Sequence, residues 1–364
     1  MVHSTPNVNA LSASDKIFVY YPRGVRSGGP EALHQLVDAL RGLGRDACLV
    51  PTPETAGAGD VRAYRFYDAP IREMVHDVDS NLVIVPETQI HLLRRVTSAA
   101  KLIWWLSIDN SAYFAFARLA STEQWGSKRY LRSAARMLLR ERSGGARRAL
   151  SDVVHASLHA AQSSYAMSYL LANEGITSVM LSDYCVVKGL EETGYIPPVR
   201  RGKTVAYNPV KGQVLLSRIR QRRPDINWLP IQDMTRAEVI QTLSSSAIYL
   251  DLGHHPGKDR LPREAALAGS IIVAAQMGSA AFRDDMNIPS RFKFSVRPFD
   301  AESLSETLDD IFGDAGASDT QAEYREKILD EQDRFIAEVR EIFVPGQSAH
   351  SQGFENGGEP RGSG

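Results

Sequence analysis

KIFVYYPRGVRSGGPEALHQLVDALRGLG, residues 16–44, holds the pattern that decides the fold. Its first six residues, Lys16 to Tyr21, form a short apolar run of strand length. The glycine turn PRGVRSGGPE follows, and then Leu33, Leu36, Val37, Leu40 and Leu43 recur at helical spacing. Pro30 suits a first helical turn, where its missing N–H is no loss, and Gly44 suits the stop. The stretch therefore reads as strand, glycine turn, helix.

Further along, the apolar runs Ala47 to Val50, Leu82 to Val85 and Leu102 to Leu106 lack polar alternation. Such runs mark strands buried on both faces of a parallel sheet. The segment YIPPVRRGK, residues 195–203, breaks the rhythm with paired prolines and basic residues, as a hinge does. Beyond it the alternation restarts with strands in KTVAYN, INWLPI, AIYLDL and SIIVAA, and helices near Val214 to Arg222, Arg236 to Ser244, from Pro262, and Leu304 to Phe312. Two such series predict two doubly wound α/β domains. Tyr324, Ile328, Phe335, Val339 and Ile342 then set one apolar stripe on a long terminal helix. The expected division is a disordered leader at 1–15, a Rossmann-like first domain at 16–197, a second at 198–318, a terminal helix at 319–344 and a disordered tail at 345–364.

A length of 364 residues agrees with two domains of ordinary size. The 42 Lys plus Arg nearly cancel the 43 Asp plus Glu, so the whole chain carries no bias toward nucleic acid. Cys48 and Cys185 make no metal or disulfide framework, which suits a reducing cytoplasm. No apolar run reaches the ~20 residues of a spanning helix, and the first residues lack a secretory signal.

Three segments carry candidate chemistry. In the glycine turn, Gly28 and Gly29 precede a helix whose free amides favour an anion. The turn lacks the spacing of dinucleotide folds and P-loops, and an unliganded tight turn explains it as well. In YNPVKG, Lys211 stands at the carboxyl end of a strand, the edge where open α/β sheets bind ligands. The third segment, DLGHHPGKDRLPREAALAG at residues 251–269, is densely charged beside a buried strand. Lys258, Arg260 and Arg263 suit phosphate oxygens, and Glu264 suits the hydroxyls of a ribose or sugar. A self-satisfied ion-pair network is the plainer alternative. His254 and His255 lack a third spaced ligand, so hydrogen bonding fits them better than metal.

The segments GGPEALHQLVDALRGLG, YNPVKG and PREAALAGSIIVA resemble, in this order, parts of GT-B glycosyltransferases. The retaining family 4-like group of bacterial surface polysaccharide and glycolipid assembly is the nearest in pattern. The resemblance implies a cleft between two Rossmann-like domains, crossed by the C-terminal helix. It implies transfer of a sugar from a nucleotide-diphosphate sugar to a glycan or lipid-linked acceptor, with no metal and no other cofactor. Lys211 then lies by the diphosphate, Glu264 by the ribose, and Gly278 and Ser279 by the sugar or phosphate, with His255, Lys258 and Asp259 completing the donor site. Pro256 stands where many members carry an earlier glutamate, and Asp109 lies near the usual place of a histidine. Asp109 and Glu87, each at a strand end, are the candidates for the catalytic base. A nucleotide-sugar epimerase and an inactive nucleotide-sugar-binding subunit are the alternatives.

Between Lys128 and Arg148, eight basic residues accompany one acidic residue, Glu141. Arg129, Arg132, Arg136 and Arg140 form one helical stripe, suited to an anionic membrane or a phosphate-linked acceptor. A solvated helix face is the other reading. The expected location is cytoplasmic, including the inner face of the membrane.

Overall fold

β1 (Lys16–Tyr21) leads through the glycine turn into α1 (Gly28–Gly42), as the opening pattern requires. The computed structural model describes residues 11–114, 145–185, 202–314, 316–344 and 346. Residues 195–201 of the hinge segment, the four arginines of the basic stripe and nearly all of the expected tail lie outside these residues.

The first sheet adds β2 (Asp46–Pro51), β3 (Leu82–Pro86), β4 (Ala100–Trp105), β5 (Leu158–Ala161) and β6 (Val179–Met180). The second comprises β7 (Thr204–Tyr207), β8 (Asn227–Pro230), β9 (Ile248–Asp251), β10 (Ile271–Ala275) and β11 (Lys293–Phe294). All pairings are parallel. The orders are β2-β1-β3-β4-β5-β6 and β8-β7-β9-β10-β11, so the second sheet repeats the winding of the first. The helices after α1 are α2 (Gly145–His155), α3 (Ser164–Glu174), α4 (Gln213–Arg222), α5 (Arg236–Ser245), α6 (Arg260–Leu267), α7 (Ala301–Gly313), α8 (Ala322–Leu329) and α9 (Glu331–Phe343). None of the described helices is long and apolar enough to cross a membrane.

Burial on both faces explains the unbroken apolar strands. In β3 and β4, Leu82, Ile84, Leu102 and Trp104 join one core cluster, while Val83, Val85, Ile103 and Trp105 join another. Both cysteines are buried thiols, pushed up by desolvation to about 11 at Cys48 and about 12 at Cys185.

Two expectations need correction. The leader ends before residue 15, because Leu11 is buried in the first domain's core and Arg45 Nη1 donates to the Ser12 carbonyl at 2.6 Å. The terminal helix is two helices, because Asp330 between them has ψ −3°, away from the helical value of about −42°. The division separates two tasks. Tyr324 and Ile328 of α8 pack in the second domain's core, whereas Phe335, Val339, Ile342 and Phe343 of α9 complete the first.

Where the domains meet, Arg263 of α6 is 1% exposed. Its guanidinium reaches Asp183 Oδ2, beyond β6, at 3.0 Å and Glu331 Oε2, at the start of α9, at 2.7 Å. Lys258 Nζ meets the other Glu331 oxygen at 3.1 Å. Burial opposes charge on both Arg263 and Asp183, yet their mutual attraction prevails: the arginine is raised and the carboxyl held below its usual range. Removing one member of such a cluster strands the others' charge in a dry site. Arg263→Ala is therefore expected to cost about 3–5 kcal/mol in urea unfolding. A loss below about 1 kcal/mol, the range of surface pairs, would show that the cluster does not bind the domains.

Candidate functional site

Between the domains lies a cavity of about 480 Å³. In the first sheet its walls come from residues just beyond strand ends: Pro22 after β1, Glu87 after β3, Leu106 and Ser107 after β4, Gln162 after β5 and Asp183 after β6. From the second sheet come Asn208 and Lys211 beyond β7 and Asp251, Lys258, Asp259 and Arg260 at and beyond β9. Both sheets thus present their carboxyl edges, where open α/β sheets bind ligands. Two helix N-termini also reach the cavity, Gly28 and Gly29 of α1 and Arg260 and Leu261 of α6. Their free amides make the space between them electropositive.

Arg260 is the most informative residue. Its Nη1 pairs with Glu31 Oε2 at 2.5 Å across the domain boundary. Its Nε and Nη2 are buried and have no hydrogen-bond partner among the described residues. A Cβ built on Gly28 would stand 3.5 Å from the Arg260 Cδ, so the guanidinium stem lies against the first turn of α1. Burial penalises the charge, but Glu31 outweighs it and raises the pKa.

The other cations are engaged. Lys211 Nζ pairs with Asp259 and lies 3.8 Å from Asp251 Oδ2. His255, fully buried, adds Nδ1 at 2.8 Å from Asp259 Oδ2. Asp251, His255 and Asp259 bring ligand atoms within 4.8 Å of one another, close enough to hold a metal ion. The ammonium of Lys211 already supplies positive charge to the two carboxylates. Burial raises the Asp259 pKa and Lys211 with His255 lowers it, with depression the net result.

Of the candidate donor residues, Gly28, Gly29, Lys211, Lys258 and Asp259 line the cavity. His255, Arg263, Glu264, Gly278 and Ser279 do not. Arg263 is committed to the buried cluster, and Glu264 accepts from Arg236 Nη1 at 2.8 Å. Ser279 donates from Oγ to the Gly257 carbonyl at 2.6 Å and from N to the His255 carbonyl at 2.9 Å. Gly278 is required by space: a Cβ there would fall 2.0 Å from the His255 carbonyl oxygen. These residues shape the loop behind the cavity. Gly257 shows how near the domains come, since its Cβ would meet the Leu106 carbonyl oxygen of the first domain at 2.2 Å.

The two base candidates also separate. Asp109 is off the cavity, with His254 Nε2 at 2.5 Å from Oδ2 and the Tyr165 hydroxyl donating to it at 3.1 Å. It joins the domains. Glu87 lines the cavity, is 4% exposed, and accepts from the Leu106 N–H at 3.0 Å. Burial pushes its carboxyl up to about 7, against the lowering effect of backbone hydrogen bonds.

Gln162 and Asp183 are not legible in the sequence as site residues, because β5 and β6, the strands they follow, have four and two residues and carry no pattern. Asp183 Oδ1 is buried without a partner among the described residues, leaving an acceptor at the cavity wall.

No family model matches the sequence, and no curated protein matches it. Solved structures do. A glycosyltransferase from Rickettsia africae is similar at TM-score 0.54 and 14% identity, covering 90% of this chain and 98% of its own. Sucrose-phosphate synthase from Thermosynechococcus elongatus is similar at TM-score 0.56 and 13% identity, covering 90% and 98%. The N-terminal domain of trehalose-6-phosphate phosphatase from Candida albicans follows at TM-score 0.56 and 12% identity, covering 92% and 98%. The chain has the two-domain α/β architecture of GT-B glycosyltransferases. At these identities the likeness is one of fold.

Glu87 gives the site a stability signature. Below about 4.5, its ordinary value, the carboxyl is neutral in both folded and unfolded chains. As pH rises from there through about 7, the unfolded chain ionises while the folded one holds its proton, so stability falls and then levels. The loss is on the order of 3 kcal/mol. Glu87→Gln is expected to flatten this part of the stability profile between pH 5 and 8. An unchanged slope in the variant would remove the buried carboxyl as its source.

Proposed function

We propose that the chain is a glycosyltransferase that takes a nucleoside-diphosphate sugar in the inter-domain cavity and transfers the sugar to a hydroxyl of a second substrate. The observation that carries the reading is the pair of Arg260 donors without a partner among the described residues, buried at the cavity wall beside the N-terminus of α1. A buried guanidinium edge without partners costs free energy until an anion takes it, and its fork matches two phosphate oxygens. The N-termini of α1 and α6 add uncharged donors for the remaining oxygens.

In this mechanism the bond between the sugar's anomeric carbon and the diphosphate breaks, and the electron pair leaves with the diphosphate. Arg260 and the helix amides stabilise that growing charge. The incoming hydroxyl oxygen bonds to the anomeric carbon, and its proton passes to Glu87, a carboxyl poised near neutrality. Asp183 Oδ1 accepts a hydroxyl of the bound sugar. Lys211 sets one positive charge against the carboxylates of Asp251 and Asp259, and the proposed reaction draws on that ammonium in place of a metal ion. The acceptor is a glycan or a lipid-linked species, and the work is done in the cytoplasm.

Thermal stabilisation by nucleoside diphosphates and their sugars tests the donor site. Uridine, guanosine or cytidine diphosphate is expected to raise Tm, and Arg260→Ala to weaken its binding about 10- to 100-fold. Arg260→Lys, which keeps a charge for Glu31 but loses the fork, should recover only part of this. Turnover is expected to rise with pH through about 7 and to be lost in Glu87→Gln. No response to any nucleotide would sink the proposal, and conversion of the donor without an acceptor would replace transfer by epimerisation.

A further inference from the structure

A second cavity, of about 170 Å³, lies in the first domain and is lined in part by Pro22, Gly24 and Val25 of the glycine turn. It shares Pro22 and Val25 with the main cavity, so the two are neighbours along one wall. Its lining includes Tyr21, His34, Asp60, Tyr64 and Tyr67. Pockets for drug-sized ligands run to ~300–1,000 Å³, so this one suits a single ring and excludes a nucleotide.

The polar groups of this lining fall into two sets. The Tyr64 hydroxyl is used by the glycine turn, accepting from Ser27 N and donating to the Ser27 carbonyl, each at 3.0 Å. The Tyr67 hydroxyl donates to Glu31 Oε1 at 3.1 Å. These tips are committed, and His34 packs beside both rings, its centroid 4.7 Å from that of Tyr64 and 6.2 Å from that of Tyr67. Tyr21 is different: its hydroxyl is buried with no hydrogen-bond partner among the described residues. Burial and then Asp60 push its pKa up to about 12, so it stays a phenol able to donate. His34 Nδ1 lies 2.7 Å from the Pro30 carbonyl oxygen, which only accepts, so Nδ1 carries the proton. Burial lowers the His34 pKa, and the neutral ring keeps Nε2 as an acceptor.

We infer that this second cavity is the acceptor subsite, and that it receives one polyhydroxylated six-membered ring, a hexose or a cyclitol, against the cluster of Tyr21, His34, Tyr64 and Tyr67. The Tyr21 hydroxyl and His34 Nε2 each take one of the ring's hydroxyls. The inference rests on the proposed transfer reaction for the word acceptor, but the binding of a ring does not. Glu31 links the two cavities, since one of its oxygens receives Tyr67 and the other Arg260.

The test is saturation-transfer NMR and calorimetry with free glucose, galactose, mannose, N-acetylglucosamine and myo-inositol at millimolar concentration. At least one ring should bind the intact chain, Tyr21→Phe should weaken it about five- to tenfold, and Arg260→Ala should leave it in place. Tyr21→Phe removes only a hydroxyl that has no partner among the described residues, so Tm should hold or rise while ring binding falls, the opposite of a folding defect. His34→Gln gives a second variant without a ring nitrogen acceptor. Absence of binding by every ring, in a protein that does bind a nucleoside diphosphate, overturns the subsite and leaves the transfer proposal intact. Binding that Tyr21→Phe and His34→Gln both spare also overturns it, because the ring is then elsewhere. Ring binding without any nucleotide binding supports the subsite and defeats the transfer proposal.

Discussion

The charge of Arg263 is the constraint on which the molecule's arrangement rests. A guanidinium 1% exposed is tolerable only with its carboxylates at hand, and the arginine and its two carboxylates come from three places in the chain. Asp183 closes the first domain, Arg263 belongs to α6 of the second, and Glu331 begins α9. Neither domain holds the full set, so separation would leave charge buried or exposed without its partner. The same geometry fixes α6, and through α6 the direction in which Arg260 extends from the previous turn. One residue holds the scaffold, and its neighbour three positions earlier meets the cavity.

The cavity itself is close to self-neutral. Glu87, Asp183, Asp251 and Asp259 face Lys211, Lys258 and Arg260. Most of these are already satisfied within the protein, which is why the alternative of a self-contained ion network describes much of the charged loop. Among the described residues that line the cavity, the buried atoms left without a hydrogen-bond partner are two nitrogens of Arg260 and one oxygen of Asp183. Those atoms, together with the helix amides, define where a ligand gains most. Specificity at such a site follows from the few groups left unpaired more than from the total charge.

Much of the architecture was legible in the sequence because parallel strands buried on both faces are long apolar runs. Lys16–Tyr21 and Ile271–Ala275 could be read in that way. Leu158–Ala161 and Val179–Met180 could not: four and two residues carry no periodicity, and they become strands through hydrogen bonds with neighbours already in place. The charged loop at 251–269 supplies part of the cavity wall, but sequence cannot distinguish a charge facing a cavity from one facing another charge. Arg260 and Arg263 lie three residues apart in identical company, and tertiary partners alone separate them. The second domain's return to alternating strands and helices was legible as rhythm, whereas its strand order and the split of the terminal helix at Asp330 were not, since the apolar stripe runs across the joint.

That split has a consequence for biosynthesis. Phe335, Val339, Ile342 and Phe343 are wholly buried or nearly so among residues of β1, α1 and β4, with Phe335 stacked on Trp104 at 6.4 Å between ring centroids. The first domain to leave the ribosome therefore lacks part of its interior until α9 has been made. At ~5–20 residues per second, the interval between the end of the first domain near Cys185 and the end of α9 is about 8–30 s. During that time an apolar groove over α1 stays open to water and to nascent-chain chaperones, while the second domain, which draws only on α8, closes first. The order of completion is the reverse of the order of translation.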